Sequence, residues 1–236
     1  MVRDNLMDED YFRNFVSESL DLRNFTRDGV VRAEGEGDAA KRRRMFNANV
    51  ICLFDLFYGK YSAGYDLEEL QGLFEEILEL MPAYWGERTT SLQMFDMMSW
   101  AVLFEASPEQ FRILDDLVRS VGRADALTEF YAAWMFEGKV EMGSDFSYGF
   151  PYTALEPIVD HPETAAENLK KWLEKDWYKG HSEDYWYDRH KHPEYKTYAG
   201  YWSFEAGAVM KILGVDDSIL KDTPYYPYDL VHYRRG

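Results

Sequence analysis

Cysteine occurs once in these 236 residues, at Cys52, so no intrachain disulfide can form. A lone thiol inside an apolar helical run serves packing rather than nucleophilic attack, since free cysteine is among the most buried residue types. Long apolar runs are equally scarce. The first residues, "MVRDNLMDEDYF", lack the apolar core of a signal peptide, and "NVICLFDLFYG" is too short and too charged to span a bilayer. These absences together predict a cytoplasmic protein. Basic charge is sparse as well, with 26 Lys and Arg against 43 Asp and Glu and a net charge of -17. Such a balance argues against direct binding of nucleic acid or an anionic membrane, whose phosphates it would repel, and it permits a basic partner. Alternating strands bounded by hairpin turns are missing, as are internal repeats, low-complexity tracts, a nucleophile elbow and a phosphate-binding loop.

What is present is helical periodicity over a chain that is 46% hydrophobic and 17% aromatic, long enough for a sizeable core. The spacing predicts a first helix over Asp8–Asp28 with Phe12, Phe15, Val16, Leu22 and Phe25 inward, ended by "AEGEGDAA". A second follows over Asp38–Lys60, carrying Phe46, Val50, Leu53, Phe54 and Phe57, and "YSAGYD" ends it. Asp66 is placed to cap a third, "LEELQGLFEEILELM", which buries Leu67, Leu70, Leu73, Phe74, Ile77, Leu78 and Met81. Further helices are expected over Leu92–Glu105, over Pro108–Val121 with Ser107 as its cap, and in "DALTEFYAAWMF". The glycine-rich stretch 137–151, "EGKVEMGSDFSYGFP", is expected to join two unequal helical halves, residues 1–136 and 152–236. The second half holds helices near Glu163–Tyr178 and Tyr198–Leu213 and the tail "TPYYPYDLVHY". The expected fold class is all-α, a helical bundle in two unequal halves.

Few motifs point to chemistry. "GEGDAA" echoes a dinucleotide loop, but no strand precedes it, and Glu34, Glu36 and Asp38 would repel a phosphate. "KRRR" at Lys41–Arg44 is expected to pair with neighbouring carboxylates or to orient the second helix. His181, Asp184, Asp188, His190 and His192 are metal-ligand types within a dozen residues, yet their spacing matches no defined site, and no metal or cofactor is expected. Glu205 falls within the apolar stripe of the last long helix, beside Tyr198, Tyr201, Trp202, Ala208 and Ile212. A buried carboxylate there needs a partner, and the small residues around it favour a polar tether between packed helices over catalysis. From Tyr61 to Glu87 no Lys or Arg occurs, while Asp66, Glu68, Glu69, Glu75, Glu76, Glu79 and Glu87 are acidic. Their outward face is either simply solvated or attractive to a basic partner.

"WYDRHKH…YAGYWSFEAGAVMKILGVDDSILKDTPYYPYDLVHY" strongly resembles the C-terminal domain of the PoNi family of bacterial immunity proteins. "RDNLMDEDYF" and "YSAGYDLEELQGLFEEILEL" resemble that family's N-terminal helical domain. The resemblance implies a cytosolic, non-enzymatic antitoxin that binds and neutralises a cognate polymorphic toxin. That toxin is commonly a PoNe-like DNase, a basic nuclease domain delivered between bacteria by a secretion system such as type VI. It also implies that the signature residues His190, Tyr201, Trp202, Glu205, Tyr228 and Asp229 are structural. Two readings from other classes stay open on the residues alone. One is a metal-dependent enzyme built on the His181–His192 turn, the other a small-ligand module lined by Trp186 and Trp202.

Overall fold

The computed structural model describes residues 2–86 and 89–234. It is 69% helical, and no described residue lies in a strand, so the fold is all-α. The chain forms two compact units. One comprises the chain up to Tyr84 with Asp188–Tyr201, the other Trp85–Tyr187 with the chain from Trp202 onward. The stretch 137–151 therefore runs inside the second unit.

In the first unit, α1 (Glu9–Gly35) and α2 (Ala39–Ala63) form an antiparallel pair. Each begins at a short acid. Asp8 accepts the Tyr11 backbone N–H, and Asp38 accepts that of Lys41, satisfying donors that a helix start leaves unbonded. α1 outruns its expected end by two turns because its later face, Gly29 and Ala33, remains buried. α2 stops at Gly64, whose φ of 84° is the left-handed conformation that glycine adopts without strain. "KRRR" lies in the first turns of α2, where Lys41 pairs with Glu36, Arg42 approaches Glu34, and Arg43 donates to the Ala83 carbonyl. α3 (Leu67–Tyr84) buries Leu70, Leu73, Phe74, Ile77, Leu78 and Met81 as its periodicity predicts; Leu67 is only half-buried.

Two of the residues expected inside α1 are not there. Leu22 is 51% exposed and Phe25 57%. α3 meets α1 on the Arg23 side, where Arg23 bonds Glu76. At 100° per residue Leu22 lies about 100° and Phe25 about 200° around the helix from Arg23. Helical spacing alone does not reveal which flank a third helix covers.

In the second unit, α4 (Ser91–Leu103) is buried on nearly every side, as befits a central helix. α5 (Pro108–Ser120) and α6 (Ala126–Glu137) both start with capping boxes, at Ser107 and at Asp125. Asp125 also ties down the glycine-rich stretch. Its carboxylate accepts the Ser147 hydroxyl at 2.8 Å, and Ala126 N–H bonds the Asp145 carbonyl at 2.8 Å. α7 (Leu155–Asp160) and α8 (Ala165–Trp172) follow, and α8 runs through a π turn, Leu173–Trp177, into the short α9 (Tyr178–Gly180). The helix expected over Glu163–Tyr178 is thus interrupted. A π turn sets residues five apart nearly in line, so Trp172 and Trp177 are both buried. α10 (Phe204–Leu213) packs on α4 through a Trp100–Phe204 edge contact at 5.6 Å, and α11 (Tyr228–Val231) closes the unit.

The last long helix starts at Phe204, six residues later than Tyr198. Tyr198 and Tyr201 therefore share no helical face with Glu205. The Tyr11 hydroxyl donates to the Tyr198 carbonyl at 3.0 Å and accepts the Tyr198 N–H at 3.1 Å. That leaves this backbone nothing to gain from a helix. Gly200, at φ 112°, turns the chain, and Ser203 caps α10 by accepting the Ala206 N–H.

Candidate functional site

Glu205 stands in the first turn of α10 and is 4% exposed. The Tyr152 hydroxyl donates to its Oε1 at 2.6 Å and the Ser203 hydroxyl to its Oε2 at 3.2 Å. The helix start adds the positive end of its dipole. This is the tyrosine partner that a buried carboxylate requires, and it ties α10 to the turn ahead of α7. Phe95 and Tyr148 pack edge-on to Tyr152, at 5.2 Å each. Next to it lies a group that composition did not single out as one unit. Asp184 Oδ2 accepts the Tyr148 hydroxyl and meets His181 Nδ1, each at 2.6 Å, with His181 1% exposed. Burial, chiefly, and the Asp184 carboxylate push the Tyr148 hydroxyl well above the ordinary tyrosine range. Trp177 and Trp186 pack on His181 at 5.0 and 4.9 Å.

The histidine turn is divided between the two units. His181 and Asp184 belong to the second; Asp188, His190 and His192 belong to the first. Among the described residues no three His, Cys, Asp or Glu side chains are placed to hold a metal ion. His190 Nδ1 meets the Tyr201 hydroxyl at 3.0 Å, and burial lowers its pKa. Tyr201 and Trp202 are buried, and Trp186 stacks on Trp177 at 5.9 Å. The Tyr228 ring packs at a tilt against His232 at 4.2 Å, and Asp229 is half-buried. Tyr198, 1% exposed, donates its hydroxyl to Asp4, whose pKa burial raises. Cys52 is buried, and desolvation pushes its thiol up to about 11; a thiol so rarely ionised is a poor nucleophile.

The acids of the third helix separate into two sets. Glu68, Glu75 and Glu79 lie along one line of α3, opposite its buried face. Asp66, Glu68 and Glu79 are exposed, while Glu75 is half-buried and accepts from Gln71 at 3.0 Å. Glu69 and Glu76 lie to one side and are neutralised from other helices, Glu69 by Lys60 and Glu76 by Arg23. Glu87 lies outside the described residues. The sequence window without bases was therefore misleading for these two, because a helix neighbour need not be a sequence neighbour.

Within each unit the signature side chains make internal contacts, His190 with Tyr201 in the first and Glu205 with Tyr152 in the second. The family model described as PoNe immunity proteins (PoNi), C-terminal, matches residues 123–230. Over that span the chain is similar to the C-terminal domain of the immunity proteins that the model describes. The matched span takes in Tyr152, His181, Asp184, His190, Tyr201, Trp202, Glu205, Tyr228 and Asp229. The crystal structure of protein PA2201 from Pseudomonas aeruginosa shares the fold, with a TM-score of 0.73 at 18% identity, covering 98% of this chain and 90% of that one. No curated protein matches the chain. No described helix is long and apolar enough to cross a membrane.

Proposed function

We propose that this chain is the immunity partner of a PoNe-type DNase delivered between bacteria, type VI secretion being the expected route. On this reading it works in the cytoplasm by binding the toxin, without catalysis or a cofactor. The observation that carries the proposal is the family match over residues 123–230. Charge supports it. A DNase must hold a polyanion, so its substrate face is cationic. A chain of net charge -17 is drawn to such a face and competes there with DNA. The acids Asp66, Glu68, Glu69, Glu75, Glu76 and Glu79 are the proposed attracting surface, with Asp66, Glu68 and Glu79 the most exposed of them apart from the paired Glu69.

The test is protection. The product of the adjacent gene, as the candidate toxin, is expressed in a sensitive host with and without the protein, and its DNA cleavage is assayed in vitro with increasing protein. Survival and stoichiometric inhibition are expected. Unprotected death with both proteins soluble would refute the pairing.

A further inference from the structure

The two side chains that left the expected core of α1 do not stand alone. Ile51 of α2 is also exposed, at 45%, beside Leu22 at 51% and Phe25 at 57%. The register of the antiparallel pair brings the three to one level. A Cβ on Gly59 would touch Phe15, one on Gly29 would touch Met45, and Thr26 lies 3.5 Å from Asn49. Residue numbers across the pair thus sum to about 74, which sets Leu22 opposite residue 52 and Phe25 opposite residue 49. Ile51 lies between those positions. Together the three leave on the order of 300 Å² of apolar side chain in water, the size of patch that on a monomer often marks an interaction site.

We infer that Leu22, Phe25 and Ile51 form the apolar anchor of a docking surface on the α1–α2 pair, and that its occupant is a cationic protein, the toxin of the proposed function. The identity of the occupant rests on that reading. Charge selects between occupants. Asp21 and Asp28 are exposed on the same edge of α1, and Glu18 pairs there with Lys196. The nearby cations are Arg32, held 5.8 Å over the Phe25 ring, and Arg44 of α2. A second copy would bring two chains of net charge -17 face to face, whereas a basic partner is attracted while it covers the apolar centre. The patch is smaller than the roughly 800 Å² per side of a standard interface, so it fits the desolvated centre of a larger contact. Such centres carry most of the binding energy and govern dissociation.

The experiment uses the full chain with Leu22→Ala, Phe25→Ala and Ile51→Ala combined, and Phe25→Ala alone as a milder variant. Binding to a catalytically inactivated form of the toxin that passes the protection test is followed by surface plasmon resonance at low and high salt, after thermal melts establish folding. The expected result is dissociation at least tenfold faster for the triple variant at both salt concentrations, with association nearly unchanged. Wild-type dissociation by the folded triple variant, or by Phe25→Ala if the triple variant does not fold, would overturn the inference while leaving the immunity reading intact. A wild-type protein that neither binds nor protects would overturn both. Sedimentation showing a wild-type dimer that the triple variant loses would assign the face to a second copy and also overturn the proposal.

Discussion

A carboxylate under a protein surface is tolerated only when its hydrogen bonds are made, and Glu205 shows how few suffice when a helix start supplies the rest. Replacing it by alanine removes the acceptor of Tyr152 and of Ser203 at once. Stranding a buried hydroxyl costs on the order of 1–3 kcal/mol. Glu205→Ala is therefore expected to lower stability by about that amount in urea titrations, and Tyr152→Phe by a similar amount, since it leaves the carboxylate with Ser203 alone. Unchanged midpoints for both would remove the tether. Asp55 on α2 behaves in the opposite sense. Burial raises its pKa to about 6, against a smaller downward pull from Arg189. The folded state then holds the proton more tightly than the unfolded chain, so this group's contribution falls as pH rises from about 4 to about 6. Asp55→Asn is expected to stabilise the protein at pH 7 by on the order of 1–2 kcal/mol, discounted for the surface the side chain keeps in water. Melts across pH 3.5–7.5 check it, and the gain over wild type should fade below about pH 4.

At the scale of elements, start signals were legible and neighbours were not. Asp8, Asp38 and Ser107 sit ahead of periodic apolar runs, and each caps its helix as that pattern implies. The periodicity of α3 marked all but one of its buried face. Leu22 and Phe25 misled because a pattern records which residues could be covered, while coverage depends on where α3 arrives. Tyr198–Ser203 misled because the Tyr11 hydroxyl, 187 positions away, bonds the backbone in place of a helix. The pairing of Glu205 with Tyr152 and of Asp184 with Tyr148 was equally hidden, since Tyr148 lies in the glycine-rich stretch that composition marked as a joint and Tyr152 directly follows it. The residue types were visible; their partners were not. Close approach of α1 and α2 yields a further expectation. A Cβ at Gly59 would lie 2.5 Å from the Phe15 ring, which is rigid and enclosed, whereas one at Gly29 would meet the flexible end of Met45 at 2.8 Å. Alanine gains up to about 1 kcal/mol of helix propensity over glycine at either position. Overpacking a closed core costs about 1–3 kcal/mol. Gly59→Ala should thus destabilise by on the order of 1–2 kcal/mol, and Gly29→Ala should be near neutral, as equilibrium denaturation will show.

At the scale of the molecule, charge and apolar surface divide the work of binding. A net charge of -17 acts over distance and sets how often partners meet; an apolar centre acts in contact and sets how long they stay. On the proposed reading the ridge of Glu68, Glu75 and Glu79 on α3 belongs to the first kind. Glu69 and Glu76, held by Lys60 and Arg23, contribute less to the outer field because their charge is already balanced. Reversing Glu68, Glu75 and Glu79 to lysine changes the net charge by six units on one line of the helix. It breaks the Gln71–Glu75 hydrogen bond, and because Glu68 and Glu79 are exposed the fold should survive with a small loss. The ridge should then repel a cationic toxin, and association should slow by about tenfold or more at low salt, where steering effects of 10–1,000-fold are found. The difference should shrink as salt rises toward physiological strength, where charges are screened beyond about 8 Å. Cells carrying the reversed protein should be killed by the toxin at doses that the wild-type protein withstands. Stopped-flow association at two salt concentrations, with the survival assay beside it, checks both outcomes. Equal association rates for the reversed and wild-type proteins at low salt would make the ridge a merely solvated face, and would leave attraction to the other carboxylates of the chain.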